Sequence, residues 1–94
     1  MSGRALLAFN LKRLRLERRV SQEGLAADTG IDRAYVSELE RERGNATVDL
    51  LDRLAASLDV ELYEFFREPK TGAKRLEPLP VGRRPSKKTR APTR

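Results

Sequence analysis

The sequence predicts an all-α fold, a compact bundle of five short helices in residues 1–66 followed by a disordered basic tail in residues 67–94. Apolar residues recur at helical spacing in the first part, which contains no proline. All five prolines follow Phe66, together with ten of the 20 Lys/Arg residues, and apolar residues become sparse there. The tail can therefore bury too little apolar surface to offset the entropy lost on ordering it.

The first two helices are predicted from apolar spacing and from residues typical of helix ends. The first covers about Ala5–Arg19, and three leucines would share its inner face: Leu7, Leu11 and Leu14. Ser21 is a typical N-cap residue for a second helix over Gln22–Asp28. Gly30 would end this helix in a left-handed turn, because glycine has no Cβ.

The remaining helices follow in the same way. Asp32 can cap a third helix, which is expected to extend to about Arg43 and to stop at Gly44. Thr47 can cap a fourth helix, whose predicted inner face has five members: Val48, Leu51, Leu54, Ala55 and Leu58. A last short helix over Val60–Phe66 carries three apolar anchors: Leu62, Phe65 and Phe66. These anchors can either close the core or form part of a dimer contact.

The composition excludes several classes of protein. The chain has no Cys and no His, which argues against disulfide scaffolds, Cys/His zinc sites and thiol or imidazole catalysis. It has no apolar run long enough to cross a bilayer, and the short segment Ala5–Phe9 lacks the features of a secretion signal. We therefore expect a cytoplasmic protein that is not an enzyme, needs no cofactor or metal, and does not contact a membrane.

The net charge of +6 is unevenly distributed. Residues 1–20 contain six Lys/Arg and one Glu, residues 21–66 contain four Arg and eleven Asp/Glu, and residues 67–94 contain ten Lys/Arg and two Glu. An anionic partner such as DNA would be attracted to the first helix and the tail. The acidic middle segment would be repelled unless its positive charges are gathered on one side.

The segment from Gln22 to Arg41, QEGLAADTGIDRAYVSELER, satisfies the requirements of two short helices that cross at a large angle. Ala26 supplies the small side chain needed at the closest approach, and Gly30 supplies the positive φ needed in the turn. Thr29 can contribute its methyl group. The shared interior requires apolar residues at four further positions, and all four are present: Leu25, Ile31, Val36 and Leu39.

With these residues the sequence resembles the Cro/C1-type (XRE, phage-repressor-like) helix-turn-helix family over about Leu6–Phe66, most clearly in SQEGLA, AYVSELER and LLDRLAASLDV. The resemblance implies a lambda-repressor-like five-helix domain that binds DNA, usually as a dimer on a two-fold operator, with the third helix in the major groove. The sequence departs from the family at Gly24 inside the second helix, at Glu42 where glycine is common, and at Asp59 where glycine is usual.

The outward face of the third helix is the candidate surface for contacts with bases. If its two apolar residues face inward, five others face outward: Arg33, Ala34, Ser37, Glu38 and Arg41. Arg33 could donate two hydrogen bonds to guanine, Glu38 could accept one from cytosine, and Ala34 could contact a thymine methyl group. Ser37 could serve as donor or acceptor. The alternative is that this charged face is simply solvated.

Other residues are candidates for contacts with the DNA backbone. In similar proteins the residue corresponding to Gln22 clamps a phosphate through its side chain and the free N–H groups of the first turn, although it could also be only a good first-turn residue. Arg41, Arg43 and Asn45 follow the third helix and can reach the sugar-phosphate backbone, with Arg43 favoured. The ring of Tyr35 can pack beside the second helix while its hydroxyl reaches a phosphate.

The resemblance also implies a structural role for Arg15 and Glu40, which match positions that often form an ion pair between the first and third helices. The expected function is a sequence-specific DNA-binding transcriptional regulator, a repressor rather than an activator, bound as a homodimer to a palindromic operator. One alternative is a restriction-modification controller, which both activates and represses. Another is an antitoxin or adaptor whose main partner is a protein, bound through the tail. The tail itself is either a cationic arm along phosphates or a solubilising end.

Overall fold

Four α-helices and one 3₁₀ helix form the part of the chain that the computed structural model describes, residues 1–69. In chain order they are α1 (Gly3–Glu17), α2 (Gln22–Thr29), α3 (Arg33–Glu40), α4 (Val48–Leu58) and the 3₁₀ helix (Leu62–Phe66). The predicted tail beyond residue 69 lies outside the described residues. Within residues 1–69 no helix is both long and apolar enough to span a membrane.

Every α-helix begins at a side-chain cap. The three predicted caps accept hydrogen bonds from backbone N–H groups at 2.8 to 3.1 Å: Ser21 from Gly24, Asp32 from Ala34, and Thr47 from Leu50. The fourth cap, Ser2, was not predicted and accepts from the N–H of Ala5 at 3.1 Å. Helix α1 therefore starts two residues before the predicted position.

The ends of α1 and α3 differ from the prediction because two non-glycine residues adopt left-handed backbone conformations. Arg19 has a φ of 57°, and α1 stops at Glu17 instead of Arg19. Glu42 has a φ of 65°, so α3 stops at Glu40 and the prediction that it continues toward Arg43 is wrong. Left-handed geometry breaks the helical hydrogen-bond pattern wherever it occurs.

Gly44 serves a different purpose from the predicted stop signal. A Cβ atom at this position would lie 2.9 Å from Cδ2 of Leu39 and 3.1 Å from Cε1 of Tyr35. The loop after α3 therefore passes directly against the helix it has just left, and a larger residue at position 44 would require the side chains of Leu39 and Tyr35 to shift.

The core is formed by apolar side chains from all five helices: Leu7, Ala8, Leu11, Leu14, Leu25, Ala26, Ile31, Val36, Leu39, Leu51, Leu54, Ala55, Leu58 and Phe65. Three predicted members are not in it: Leu62 is only partly buried against it, and Val48 and Phe66 are exposed. Val48 is 64% exposed, and its neighbour Asp49 is also exposed, because the first turn of α4 extends beyond the core. Phe66 is 42% exposed, whereas the adjacent Phe65 is fully buried.

The last element is a 3₁₀ helix and not the predicted α-helix. It is only five residues long and has no side-chain cap, and short segments of this kind commonly adopt the tighter helix. Its end is held by Asn10, a buried residue whose Nδ2 donates to the carbonyls of Phe65 at 3.1 Å and Arg67 at 2.9 Å. The contacts of the domain thus extend past the predicted boundary at Phe66.

Candidate nucleic-acid interface

The turn between α2 and α3 sets the angle between these helices. Gly30 has a φ of 76°, and its N–H and that of Ile31 both donate to the carbonyl of Ala26, at 2.9 and 3.2 Å. The hydroxyl of Thr29 donates to the carbonyl of Leu25 at 2.8 Å, so its polar group is satisfied within the helix. Ala26 is 7% exposed. The small residue and the glycine therefore lie where the crossing was predicted to need them.

The residues of α3 that were predicted to contact bases lie on the side away from the core. Val36 is fully buried and Leu39 is 2% exposed. The five residues predicted to face outward are either exposed or partly exposed: Arg33, Ala34, Ser37, Glu38 and Arg41. The second helix of the motif thus presents a continuous polar face to the surroundings.

Two residues of this face are paired with each other. Nη2 of Arg41 lies 3.1 Å from Oε2 of Glu38, and their side chains are 56% and 39% exposed. An ion pair this exposed stabilises the fold by at most about 1 kcal/mol, so both groups remain available to a ligand. Arg33 makes no side-chain hydrogen bond within residues 1–69 and extends from the first turn of α3.

A buried polar network connects the two helices of the motif, α2 and α3, to α1. Arg15 donates from Nε and Nη2 to the two carboxylate oxygens of Glu40, and from Nη1 to the carbonyl of Val20. Gln22 donates from Nε2 to Oε1 of the same carboxylate at 3.0 Å. The side chain of Gln22 is therefore engaged inside the protein, and the first turn of α2 offers its unpaired backbone N–H groups to an anion.

The loop after α3 accepts hydrogen bonds from two side chains, Tyr35 and Arg4. The hydroxyl of Tyr35 donates to the carbonyl of Asn45, and a phosphate contact by this hydroxyl would have to replace that hydrogen bond. Arg4 donates to the carbonyl of Gly44 at 3.1 Å and to Oδ1 of Asn45. Arg43 is exposed and has no side-chain hydrogen bond in the described part of the chain.

Sequence reasoning did not identify Arg4. Its partners are about forty residues away, and one of them is a backbone carbonyl, which has no sequence signature. The only available signal was the location of a basic residue in the first turn of α1, which contains no acidic residue. Positive charge is unfavourable at that end of a helix dipole, so an arginine there suggests a partner outside the helix.

The fold and this surface define a class of protein: a small helix-turn-helix domain with a polar face on the second helix of the motif. The chain belongs to the helix-turn-helix family HTH_3, whose model matches residues 11–65. Relatives of the chain include proteins named as HTH-type transcriptional regulators, in agreement with the expectation of a regulator and not of an enzyme.

The chain is similar to a hypothetical transcription factor of Neisseria meningitidis serogroup B, with 41% identity over 66 residues that cover 70% of this chain and 62% of that protein. The chain thus spans less than two thirds of the length of this relative. A crystal structure of the hypothetical transcription factor NHTF from Neisseria superposes with a TM-score of 0.70 at 40% identity, covering 72% of this chain and 78% of the other.

Restriction-modification controller proteins are also similar. The controller C.AhdI from Aeromonas hydrophila has a TM-score of 0.65 at 36% identity, covering 67% of this chain and 96% of its own. A structure of C.Esp1396I bound to a 19 base pair DNA duplex has a TM-score of 0.64 at 33% identity, covering 70% of this chain and 88% of its own.

Proposed function

We propose that this protein is a sequence-specific DNA-binding transcriptional regulator that places α3 in the major groove. The observation that carries the proposal is the outward polar face of α3, which is backed by the buried residues Val36 and Leu39. A major groove about 12 Å wide admits an α-helix, and side chains on its outer face then contact base edges. The relative C.Esp1396I, whose structure is bound to a DNA duplex, supports the proposal that this chain binds DNA.

The proposed contacts divide into two groups. Those with bases come from four residues of α3 and from the residue that follows its end: Arg33, Ala34, Ser37, Glu38 and Arg41. Those with phosphates come from the first turn of α2 at Gln22 and from the loop residues Arg43 and Asn45. Phosphate contacts fix the position of the domain on the duplex, and base contacts provide the sequence preference. Tyr35 supports the loop from α3 and could exchange its bond to Asn45 for one to a phosphate.

We propose further that the protein acts as a homodimer and as a repressor. Tyr63 and Phe66 are 65% and 42% exposed at the end of the domain, and a second copy would remove this apolar surface from water. Two copies related by a two-fold axis would bind a palindromic operator, and a bound dimer would block access of RNA polymerase. Light scattering across a concentration series tests the dimer directly.

A second candidate function is that of a restriction-modification controller, which the similarity to C.AhdI and C.Esp1396I favours. The two functions differ in the response of the promoter to protein concentration. A reporter placed behind the selected operator would show activation at low concentration and repression at high concentration for a controller. A simple repressor would show repression throughout.

The experiment that tests DNA binding is selection of preferred duplexes from a random pool by the purified chain. We expect enrichment of a palindromic sequence with two half-sites separated by about one turn of the double helix. A pool without any enriched sequence would show that the outward face of α3 does not recognise bases.

A further inference from the structure

Arg4 lies at the start of α1 and is hydrogen-bonded to the loop that follows α3. Its Nε donates to the carbonyl of Gly44 at 3.1 Å, and its Nη2 donates to Oδ1 of Asn45. The hydroxyl of Tyr35 donates to the carbonyl of Asn45 in the same loop. The two hydrogen bonds of Arg4 orient its guanidinium toward the loop.

The positive charge of Arg4 is not neutralised by these contacts. Its acceptors are a carbonyl and an amide oxygen, both uncharged. Four other arginines form ion pairs with carboxylates within residues 1–69: Arg13, Arg15, Arg41 and Arg67. Arg4 belongs to none of these pairs. It is exposed, and the N-terminal end of α1 adds its own partial positive charge.

The arrangement also leaves donors for a ligand. A guanidinium has five N–H donors, of which Arg4 uses two in the contacts above. Asn45 uses its amide oxygen as the acceptor, so its NH₂ group has no partner among the described residues. A cation oriented beside an amide donor is suited to the oxygens of a phosphate group.

We propose that Arg4, together with the amide of Asn45, binds a phosphate of the DNA backbone. This inference rests on the proposed function, because the loop at Gly44–Asn45 is the one expected to lie along the duplex. The contact extends the interface from the helix-turn-helix motif to the first turn of α1. It strengthens binding equally for all sequences, because a phosphate carries no base information.

The test is the salt dependence of binding to the duplex obtained by selection, compared between the wild-type chain and Arg4→Gln. A protein that neutralises one phosphate fewer has a slope of log K against log salt that is smaller by about 0.9. We expect this change for Arg4→Gln, with an unchanged order of preference among base-substituted duplexes. Arg4→Lys keeps the charge and should restore most of the slope.

Two controls separate a phosphate contact from other effects. Arg53→Gln removes the same charge from an exposed position on α4 and should leave the slope within error of the wild type. Tyr35→Phe removes the hydrogen bond from Tyr35 to the loop without changing the charge. It can weaken binding, but it should reduce the slope of log K against log salt less than Arg4→Gln does.

The possible outcomes are distinct. An unchanged slope for Arg4→Gln overturns the inference, even if affinity falls, because loop support alone then explains the loss. Equal slopes for Arg4→Gln and Arg53→Gln overturn it as well, since only net charge would matter. If the wild-type chain enriches no duplex, the proposed function fails first and the inference with it.

Discussion

The guanidinium of Arg15 and the carboxylate of Glu40 form two hydrogen bonds, of 2.6 and 2.9 Å. Their side chains are only 9% and 4% exposed. Arg15 lies in α1 and Glu40 is the last residue of α3, so the pair links the first helix to the end of the proposed recognition helix. Gln22 joins the same carboxylate from the start of α2. The three helices are thus connected by one buried polar network that fixes the orientation of α3.

Removing the carboxylate of this network should lower the unfolding free energy strongly. Glu40→Ala leaves the guanidinium of Arg15 buried without its counter-charge, and loss of one partner of a buried pair typically costs about 3–5 kcal/mol. Urea denaturation followed by circular dichroism measures the change in unfolding free energy. The control is Glu38→Ala at the exposed pair with Arg41, for which we expect a loss below about 1 kcal/mol. Equal losses in the two variants would contradict the prediction.

Much of the fold could be predicted from local chemistry. Ser21, Asp32 and Thr47 each act as the predicted N-cap, and Gly30 has the predicted positive φ. These features depend on a few adjacent residues. The pairing of Arg15 with Glu40 was expected only from the resemblance to a family, because no local pattern connects residues 25 positions apart.

The errors lie where tertiary contacts override local preference. Glutamate has no intrinsic preference for a left-handed conformation, yet Glu42 adopts it, and the next residues turn back so that Gly44 packs on Leu39 and Tyr35. Val48 fits the apolar periodicity of α4, but the turn that carries it lies outside the core. In both cases the deciding factor is the path of the chain in three dimensions.

The left-handed residues predict stabilising substitutions. Glu42→Gly should raise the unfolding free energy, because a left-handed conformation costs a residue with a Cβ about 1–2 kcal/mol, while glycine loses part of this gain through the entropy of the unfolded chain. Asp59 has a φ of 58°. The unfolding free energy should rise less for Asp59→Gly than for Glu42→Gly, because aspartate tolerates the left-handed region better than glutamate. Thermal denaturation of both variants gives the comparison. A larger gain at Asp59 than at Glu42 would contradict this explanation.

The crossing of α2 and α3 predicts a contrast between two adjacent alanines. Ala26 is buried at the crossing, and Ala26→Leu should cost about 1–3 kcal/mol through overpacking. Ala27 is exposed on the same helix, so Ala27→Leu serves as the control and should change stability by less than about 0.5 kcal/mol. Chemical denaturation of the two variants measures both values. Similar effects at the two positions would show that the helices do not approach closely at Ala26.

Deleting residues 70–94 should weaken binding to all DNA sequences. This segment contains nine Lys/Arg and one Glu, and each phosphate it neutralises adds about 0.9 to the slope of log K against log salt. The cut follows Pro69 because the carbonyl of Arg67 accepts a hydrogen bond from Asn10, so the folded part remains intact. Titration of a labelled duplex at several salt concentrations measures the slope. A truncated chain with the full slope would favour a solubilising role for the segment.

Arg33 is the residue that should separate base recognition from general DNA affinity. It lies on the first turn of α3, is exposed, and makes no side-chain hydrogen bond in the described part of the chain, so Arg33→Ala should leave the fold intact. Loss of a bidentate contact to guanine costs about 1–3 kcal/mol and relaxes the preference at one base pair. Repeating the duplex selection with the variant shows this as one position that becomes degenerate in each half-site.

The comparison for Arg33→Ala is Arg43→Ala, which removes the same charge from the loop after α3. Arg43 is proposed to contact a phosphate, so its loss should weaken binding to all sequences, reduce the salt slope by about one, and leave the selected sequence unchanged. The two variants therefore differ in which quantity they change, base preference or salt slope. If Arg33→Ala selected the same sequence with undiminished affinity, α3 would not be the helix that contacts the bases.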